Sequence, residues 1–300
     1  MSVVRPLFLL SSLLVLSGCV APEAEPEPTP GEPVVWPLTI GLGADRPAEV
    51  RGPEGWAGED ALPVVFVLHG FGADAELQET FIFRFTRQIE AQRFLLVLPN
   101  GTTNPDGQRF WNGTDACCDG FGTGVDDVGY LMGLLDELEA GYNVDSDRVY
   151  FTGHSNGGFM SFRMACEHPG RIAAIMPLAG STWLDPADCT SGAPVSVLDI
   201  HGTEDSSVPY PDSPYYPGAE ARAARWAERA GCDVEAASEA EPMDLIDGVP
   251  GAETLVLEYR DGCEDGKVVD LWTLDGVGHV PIFHDGFAEA VIPWLLARTR

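Results

Sequence analysis

Five residues, Gly153-His154-Ser155-Asn156-Gly157, carry a Gly-x-Ser-x-Gly spacing. A serine hydroxyl attacks a carbonyl only when a base removes its proton and donors hold the oxyanion that forms. The rest of the chain offers both. Of six histidines, His279 alone lies in a glycine-flanked loop, Gly276-Val277-Gly278-His279-Val280-Pro281, after the last apolar run. His69 and His201 sit at the ends of apolar runs, His154 lies inside the pentapeptide, His168 ends a helical pattern and His284 begins one. A base of this kind needs a carboxylate to orient it. Asp205, in His201-Gly202-Thr203-Glu204-Asp205, fits better than Glu204, Asp199 or Asp212, because Asp199 falls within the apolar run and reads as structural. Oxyanion donors are expected from the amides of Asn156, which follows the serine, and Phe71, in the glycine turn His69-Gly70-Phe71-Gly72. This chemistry is acyl transfer and needs neither metal nor cofactor.

These groups must be positioned by a scaffold. Apolar throughout, Pro63–Leu68 has the pattern of a strand covered on both faces. Similar runs follow at Phe94–Leu98, Val149–Phe151, Ala173–Leu178, Val195–Ile200 and Val268–Leu274. Helical patterns lie between and after them: Leu77–Gln92, Asp126–Tyr142, Asn156–His168, Ala219–Ala230 and about His284–Arg298. Strands alternating with helices predict a mostly parallel central sheet with helices on both faces, an α/β class. Residues 34–62 add one or two edge strands, interrupted by Pro37, Pro47 and Pro53. Ser155 then stands on a strand–turn–helix junction, and Asp205 and His279 each follow a strand. The chain order Ser, Asp, His is that of the α/β-hydrolase fold.

Composition narrows the partners. A formal charge of −30 excludes general nucleic-acid binding and disfavours polyanionic substrates. Residues 1–18 read as a secretory signal, with Arg5 before an apolar run from Leu7 to Leu16. Leu16-Ser17-Gly18-Cys19 resembles a bacterial lipobox, so Cys19 is the expected lipidation site. Residues 19–33 form a Pro/Glu-rich tether, leaving 34–300 as the catalytic domain. The expected location is the exported side of a membrane, held by the N-terminal lipid, and the expected state is monomeric. The other six cysteines, at 117, 118, 166, 189, 232 and 263, suggest disulfides in fifteen possible pairings. The adjacent Cys117 and Cys118 bridge each other or bridge elsewhere.

Several segments in order carry a family resemblance: the serine elbow through Met160, Leu68-His69-Gly70, Trp111-Asn112 with Cys117-Cys118, Val125-Asp126-Asp127-Val128-Gly129, His201-Gly202-Thr203-Glu204-Asp205 and Gly278-His279. Across roughly 45–298 the chain resembles polyhydroxybutyrate depolymerase-like esterases, which are similar to feruloyl and acetylxylan esterases, secreted α/β-hydrolases. The resemblance implies Ser155 as nucleophile, Asp205 as acid and His279 as base. Its substrates would be soluble or oligomeric carboxylic esters rather than solid polyester. It also implies a Cys232–Cys263 bridge, with Cys166–Cys189 and Cys117–Cys118 as the remaining pairs. One departure is Val280-Pro281-Ile282-Phe283 where relatives often carry Trp-Pro. Trp111, His154 and Tyr210 are the expected cleft residues, Trp111 reading equally as an anchor of its loop, and Trp56, Trp183, Tyr215 and Tyr216 are further aromatics that read as a substrate platform or as packing residues. Two rival readings are a prolyl-oligopeptidase-like peptidase and a non-catalytic surface-binding protein on the same fold.

Overall fold

A computed structural model describes residues 32–41, 46–189 and 193–300. The signal segment 1–18, Cys19 and most of the tether lie outside the described residues. In chain order the elements are β1 (Leu38–Ile40), β2 (Ala48–Arg51), β3 (Leu62–Leu68), α1 (Ala75–Gln78), α2 (Ile89–Gln92), β4 (Leu95–Leu98), β5 (Thr102–Thr103), β6 (Arg109–Phe110) and α3 (Asp127–Gly141). They continue with β7 (Val144–His154), α4 (Asn156–Glu167), β8 (Ala174–Leu178), β9 (Ser196–Gly202), α5 (Ala219–Arg229), β10 (Ser238–Met243), β11 (Thr254–Tyr259), β12 (Val269–Leu274) and α6 (Gly286–Leu296).

Ten strands form one sheet in the order β1-β2-β4-β3-β7-β8-β9-β12-β11-β10. The pairs from β4 to β12 are all parallel. Antiparallel pairs close both ends, β1–β2–β4 on one side and β12–β11–β10 on the other. Every residue of β3 is buried, and its side chains alternate between two cores. Val64, Phe66 and Leu68 join the core under α3, α4 and α5. Val65 and Val67 join the core under α6 and the segment 75–92. Each large apolar side chain withdrawn from water this way contributes about 1.5–3 kcal/mol before entropy is counted. This is the α/β-hydrolase fold.

The helix expected over 77–92 is broken. After α1 the chain makes a wide turn over Glu79–Phe83, Arg84 takes a left-handed φ of 54°, and a tight 3-10 turn over Phe85–Gln88 precedes α2. Tertiary packing overrides helical periodicity here. Phe83 and Phe85 stack on each other at 5.0 Å and both face Phe287 of α6 at 6.2 Å. Buried Glu79 accepts the Thr86 N–H at 2.7 Å. The other four helical patterns appear within two residues of their expected ends. The Asp126 side chain caps α3 by accepting the Gly129 N–H, whereas Asp127 is buried and pairs with Arg46 at 2.6 Å.

Candidate active site

The serine stands where β7 passes into α4. Ser155 has φ 54° and ψ −118°, a strained conformation for a side-chain-bearing residue, and its N–H is fixed on the Leu178 carbonyl at 2.8 Å. Gly157 lets this turn close, because a Cβ there would overlap the Leu68 carbonyl of the neighbouring strand. The turn lifts the hydroxyl above the C-terminal ends of β3, β7 and β8.

His279 and Asp205 come to the same place from adjacent strands. Beyond β9 and β12 the loops are stitched together by Thr203 N–H to Leu274 O and Glu204 N–H to Val277 O, both at 3.0 Å. Ser155 Oγ lies 2.9 Å from His279 Nε2, and His279 Nδ1 lies 2.8 Å from Asp205 Oδ2. An ionised carboxylate only accepts, so Nδ1 carries the ring hydrogen and Nε2 is left to accept the serine proton. Asp205 Oδ1 takes the amides of Ser207 and Val208, each at 2.8 Å. Burial alone would raise the Asp205 pKa; hydrogen bonds from His201, His279 and the Val208 amide outweigh it and hold the carboxyl well below the usual carboxylate range.

Two backbone amides, one following the serine and one following Gly70, are without a helical or loop partner among the described residues. Asn156 opens α4, so its N–H has no carbonyl one turn back in the helix. The Phe71 N–H has no acceptor among the described residues, although its neighbours do: Gly70 N–H reaches Gln78 Oε1 and Gly72 N–H reaches Arg109 O. His69 fixes the direction of that peptide. Its Nε2 accepts the Gly101 N–H at 2.9 Å, so Nδ1–H donates to Gly70 O at 2.8 Å. The Gly70 carbonyl and the Phe71 N–H belong to one planar unit and point opposite ways, so holding the oxygen aims the N–H. Burial pushes the His69 pKa down to about 4, which keeps the ring neutral in this role. Gly70 itself packs on the serine, since a Cβ there would stand 3.5 Å from Ser155 Cβ.

The three residues expected to line the cleft are placed differently. Trp111 is fully buried, donates from Nε1 to His69 O at 3.1 Å and stacks on Tyr130, so its ring cannot meet a substrate. His154 is also buried and bonds from Nε2 to the His279 carbonyl at 2.8 Å, steadying the loop that carries His279. Burial lowers its pKa to about 4 against the opposing pull of that carbonyl. Tyr210 bonds to Thr273 Oγ1 at 2.7 Å and lines a separate recess with Asp212 and Glu220. Beside the site a cleft of about 810 Å³ is lined by Phe71, Trp183, Arg163, Glu167 and residues of the segment 112–124, with none of Ser155, Asp205 or His279 among its lining residues. Exposed Phe71 places its side chain in that cleft. Asn156 ties the cleft loop to the elbow, because its side chain accepts Trp111 N–H at 2.7 Å and donates to Trp111 O at 2.8 Å. The six described cysteines pair as Cys117–Cys118, in the cleft wall, Cys166–Cys189 and Cys232–Cys263.

Fold and site together define a hydrolase-type scaffold with a serine presented to an imidazole. A family model described as "Putative esterase" matches residues 40–238, and the chain belongs to that esterase family. It is 28% identical over 246 residues to feruloyl esterase B of Piromyces equi, spanning 78% of this chain and 42% of that protein. It is 24% identical over 237 residues to poly(3-hydroxyalkanoate) depolymerase C of Paucimonas lemoignei, spanning 72% and 54%. The chain therefore spans about half or less of the length of these curated relatives. Among solved structures, an acetyl xylan esterase from Aspergillus awamori shares the fold, with a TM-score of 0.59, 16% identity, and coverage of 84% of this chain and 94% of that one.

Proposed function

We propose that this chain is an exported serine esterase in which Ser155, His279 and Asp205 are nucleophile, base and acid. The observation that supports the reading is the unbroken line of two hydrogen bonds, 2.9 and 2.8 Å long, from serine through imidazole to carboxylate. Ser155 Oγ attacks the ester carbonyl carbon while its proton passes to His279 Nε2. The imidazolium is stabilised by Asp205, and the amides of Phe71 and Asn156 hold the oxyanion. When the tetrahedral adduct collapses, the C–O bond to the alcohol breaks and Nε2 returns the proton to the departing oxygen. Water, deprotonated by the same nitrogen, then attacks the acyl-serine, and the acid leaves as Ser155 recovers its proton.

The cleft guides the choice of substrate. Arg163, the one cation among the described residues lining it, is already taken by Glu167 at 2.7 Å and Asn112 O at 2.6 Å, while Asp115 and Asp119 add negative charge. Such a wall favours uncharged acyl and alcohol groups, including the feruloyl and acetyl-sugar esters named for its relatives and hydroxyalkanoate oligomers. Export accords with three disulfides. In this reading residues 34–300 are the catalytic unit, acting as a monomer, and a lipid on Cys19 with the tether 19–33 holds it at a membrane. The decisive assay is p-nitrophenyl acetate hydrolysis by wild type and Ser155→Ala. Turnover should fall to the background of uncatalysed hydrolysis in the variant, and retained turnover would end the assignment.

A further inference from the structure

We propose that Asp199, Arg222 and His201 form a buried positioning chain that fixes Asp205 on the base, with Arg222 dictating which nitrogen of His201 bears hydrogen. The inference rests on reading Ser155, His279 and Asp205 as the reacting triad. Asp199 and His201 are two apart on β9 and so lie on one face of the sheet. Arg222 comes from α5, packed on that face, and all three side chains are fully buried. Arg222 grips Asp199 in two-pronged fashion, Nε to Oδ2 at 2.7 Å and Nη2 to Oδ1 at 3.0 Å. The same Nη2 stands 3.0 Å from His201 Nδ1.

A guanidinium has donors only, so His201 Nδ1 accepts and the ring hydrogen sits on Nε2. That N–H points at Val208 O, 2.7 Å away, with Asp205 Oδ2 at 3.3 Å. Val208 in turn donates its amide to Asp205 Oδ1 at 2.8 Å. His201 therefore holds both the carboxylate and the turn that supplies the carboxylate's other donors. Reversing the tautomer would set the Nε2 lone pair against those of the Val208 carbonyl and the Asp205 carboxylate. Asp199 and Arg222 cancel in charge. A buried pair of this kind is often replaceable by apolar residues without loss of stability, so proton placement is the better account of its presence. The other ionisable groups facing this region are His154 from β7, His279 after β12, and Tyr210, Tyr216 and Glu220 around α5. Tyr210 presents its ring edge to His201 at 5.9 Å.

The test has a structural and a kinetic arm. In wild type, 15N-histidine NMR at pH 7 should report His201 with hydrogen on Nε2; hydrogen on Nδ1 would overturn the inference. Replacing His201→Leu removes one donor from Asp205, which strengthens the carboxylate's hold on the imidazolium. The acid limb of kcat/KM for an aryl acetate should then move up by about half a pH unit. In the same variant kcat should fall about 10- to 100-fold with little change in KM. His201→Gln keeps an N–H near the Nε2 position and should restore most of both effects. Asp199→Leu/Arg222→Met frees the tautomer and should move the limb in the same direction. An unmoved limb in folded His201→Leu, or in the double variant where the leucine fails to fold, refutes the positioning chain. A wild type inactive on aryl esters, or an active Ser155→Ala, would instead remove the triad reading while leaving the NMR result standing.

Discussion

Replacing Asp205→Asn should disable the base without dismantling the site, and the structure dictates how. Asp205 Oδ1 accepts two backbone amides, Ser207 and Val208, at 2.8 Å each. Neither can accept a hydrogen bond from a side-chain NH2, so the asparagine must keep its oxygen there. Its NH2 is forced to the Oδ2 position, facing His279 Nδ1. It then donates where the carboxylate accepted, and His279 must carry its hydrogen on Nε2, pointing at Ser155. A protonated Nε2 cannot take the serine proton. A tautomer reversal of this kind costs about 10⁴-fold in kcat, equivalent to ~5.4 kcal/mol of barrier. The two amide contacts survive, while the His201 Nε2–H, 3.3 Å from the Oδ2 position, then faces a donor, so the stability cost is about 1–3 kcal/mol. Steady-state kinetics on p-nitrophenyl acetate, beside urea unfolding of the same preparation, separates the two effects. A folded Asp205→Asn enzyme within tenfold of wild-type kcat would refute the reasoning and return Glu204 to consideration.

Three further outcomes follow from the same geometry. Buried His154 has its pKa lowered from 6.5 to about 4, so the unfolded chain binds a proton that the folded chain resists. The stability tied to its neutral ring is whole above pH 6.5 and drains as pH falls towards 4, by about 2 kcal/mol at pH 5. His154→Gln should remove that part of the slope between pH 7 and 5 in urea titrations, and an identical slope in both proteins would contradict it. Gly157→Ala drives a Cβ into the Leu68 carbonyl and should abolish soluble, folded protein or lower its thermal midpoint by more than about 10 °C; a shift of a degree or two would show that the elbow is looser than described. The acidic cleft should give an aryl ester with a free carboxylate on its acyl chain a kcat/KM at least about tenfold below a neutral ester of equal length. That gap should narrow in 0.5 M salt, and equal rates for the two esters would mean that substrates bind elsewhere.

The parallel core was legible because a strand covered on both faces has no polar side, and β3 and β8 are unbroken runs of this kind. Ser155, Asp205 and His279 each follow a strand, and parallel strands bring their C-terminal ends to one rim. Interactions across the fold were not legible. Trp111 sits in a long loop outside the strand pattern, where sequence could not choose between a substrate contact and a loop anchor, and its indole is drawn inward by the His69 carbonyl and Tyr130. The break at Arg84 depends on Phe287, two hundred residues away, so no local pattern announces it. Asp199 was visible as a lone charge in an apolar run, but its partner Arg222 is one of sixteen arginines with nothing local to mark it. His69 read as a strand-end residue, although it sets the direction of a peptide.

The sheet ends on one side in β10, Ser-Glu-Ala-Glu-Pro-Met, largely exposed and with no further strand beyond it among the described residues. An open margin of amides and carbonyls is a template on which another copy can crystallise its own margin. Here Pro242 removes one amide from that template, and Glu239 and Glu241 place like charge wherever two such margins would meet. Molecules crowded together would thus stay separate, each margin repelling the like charge of the next.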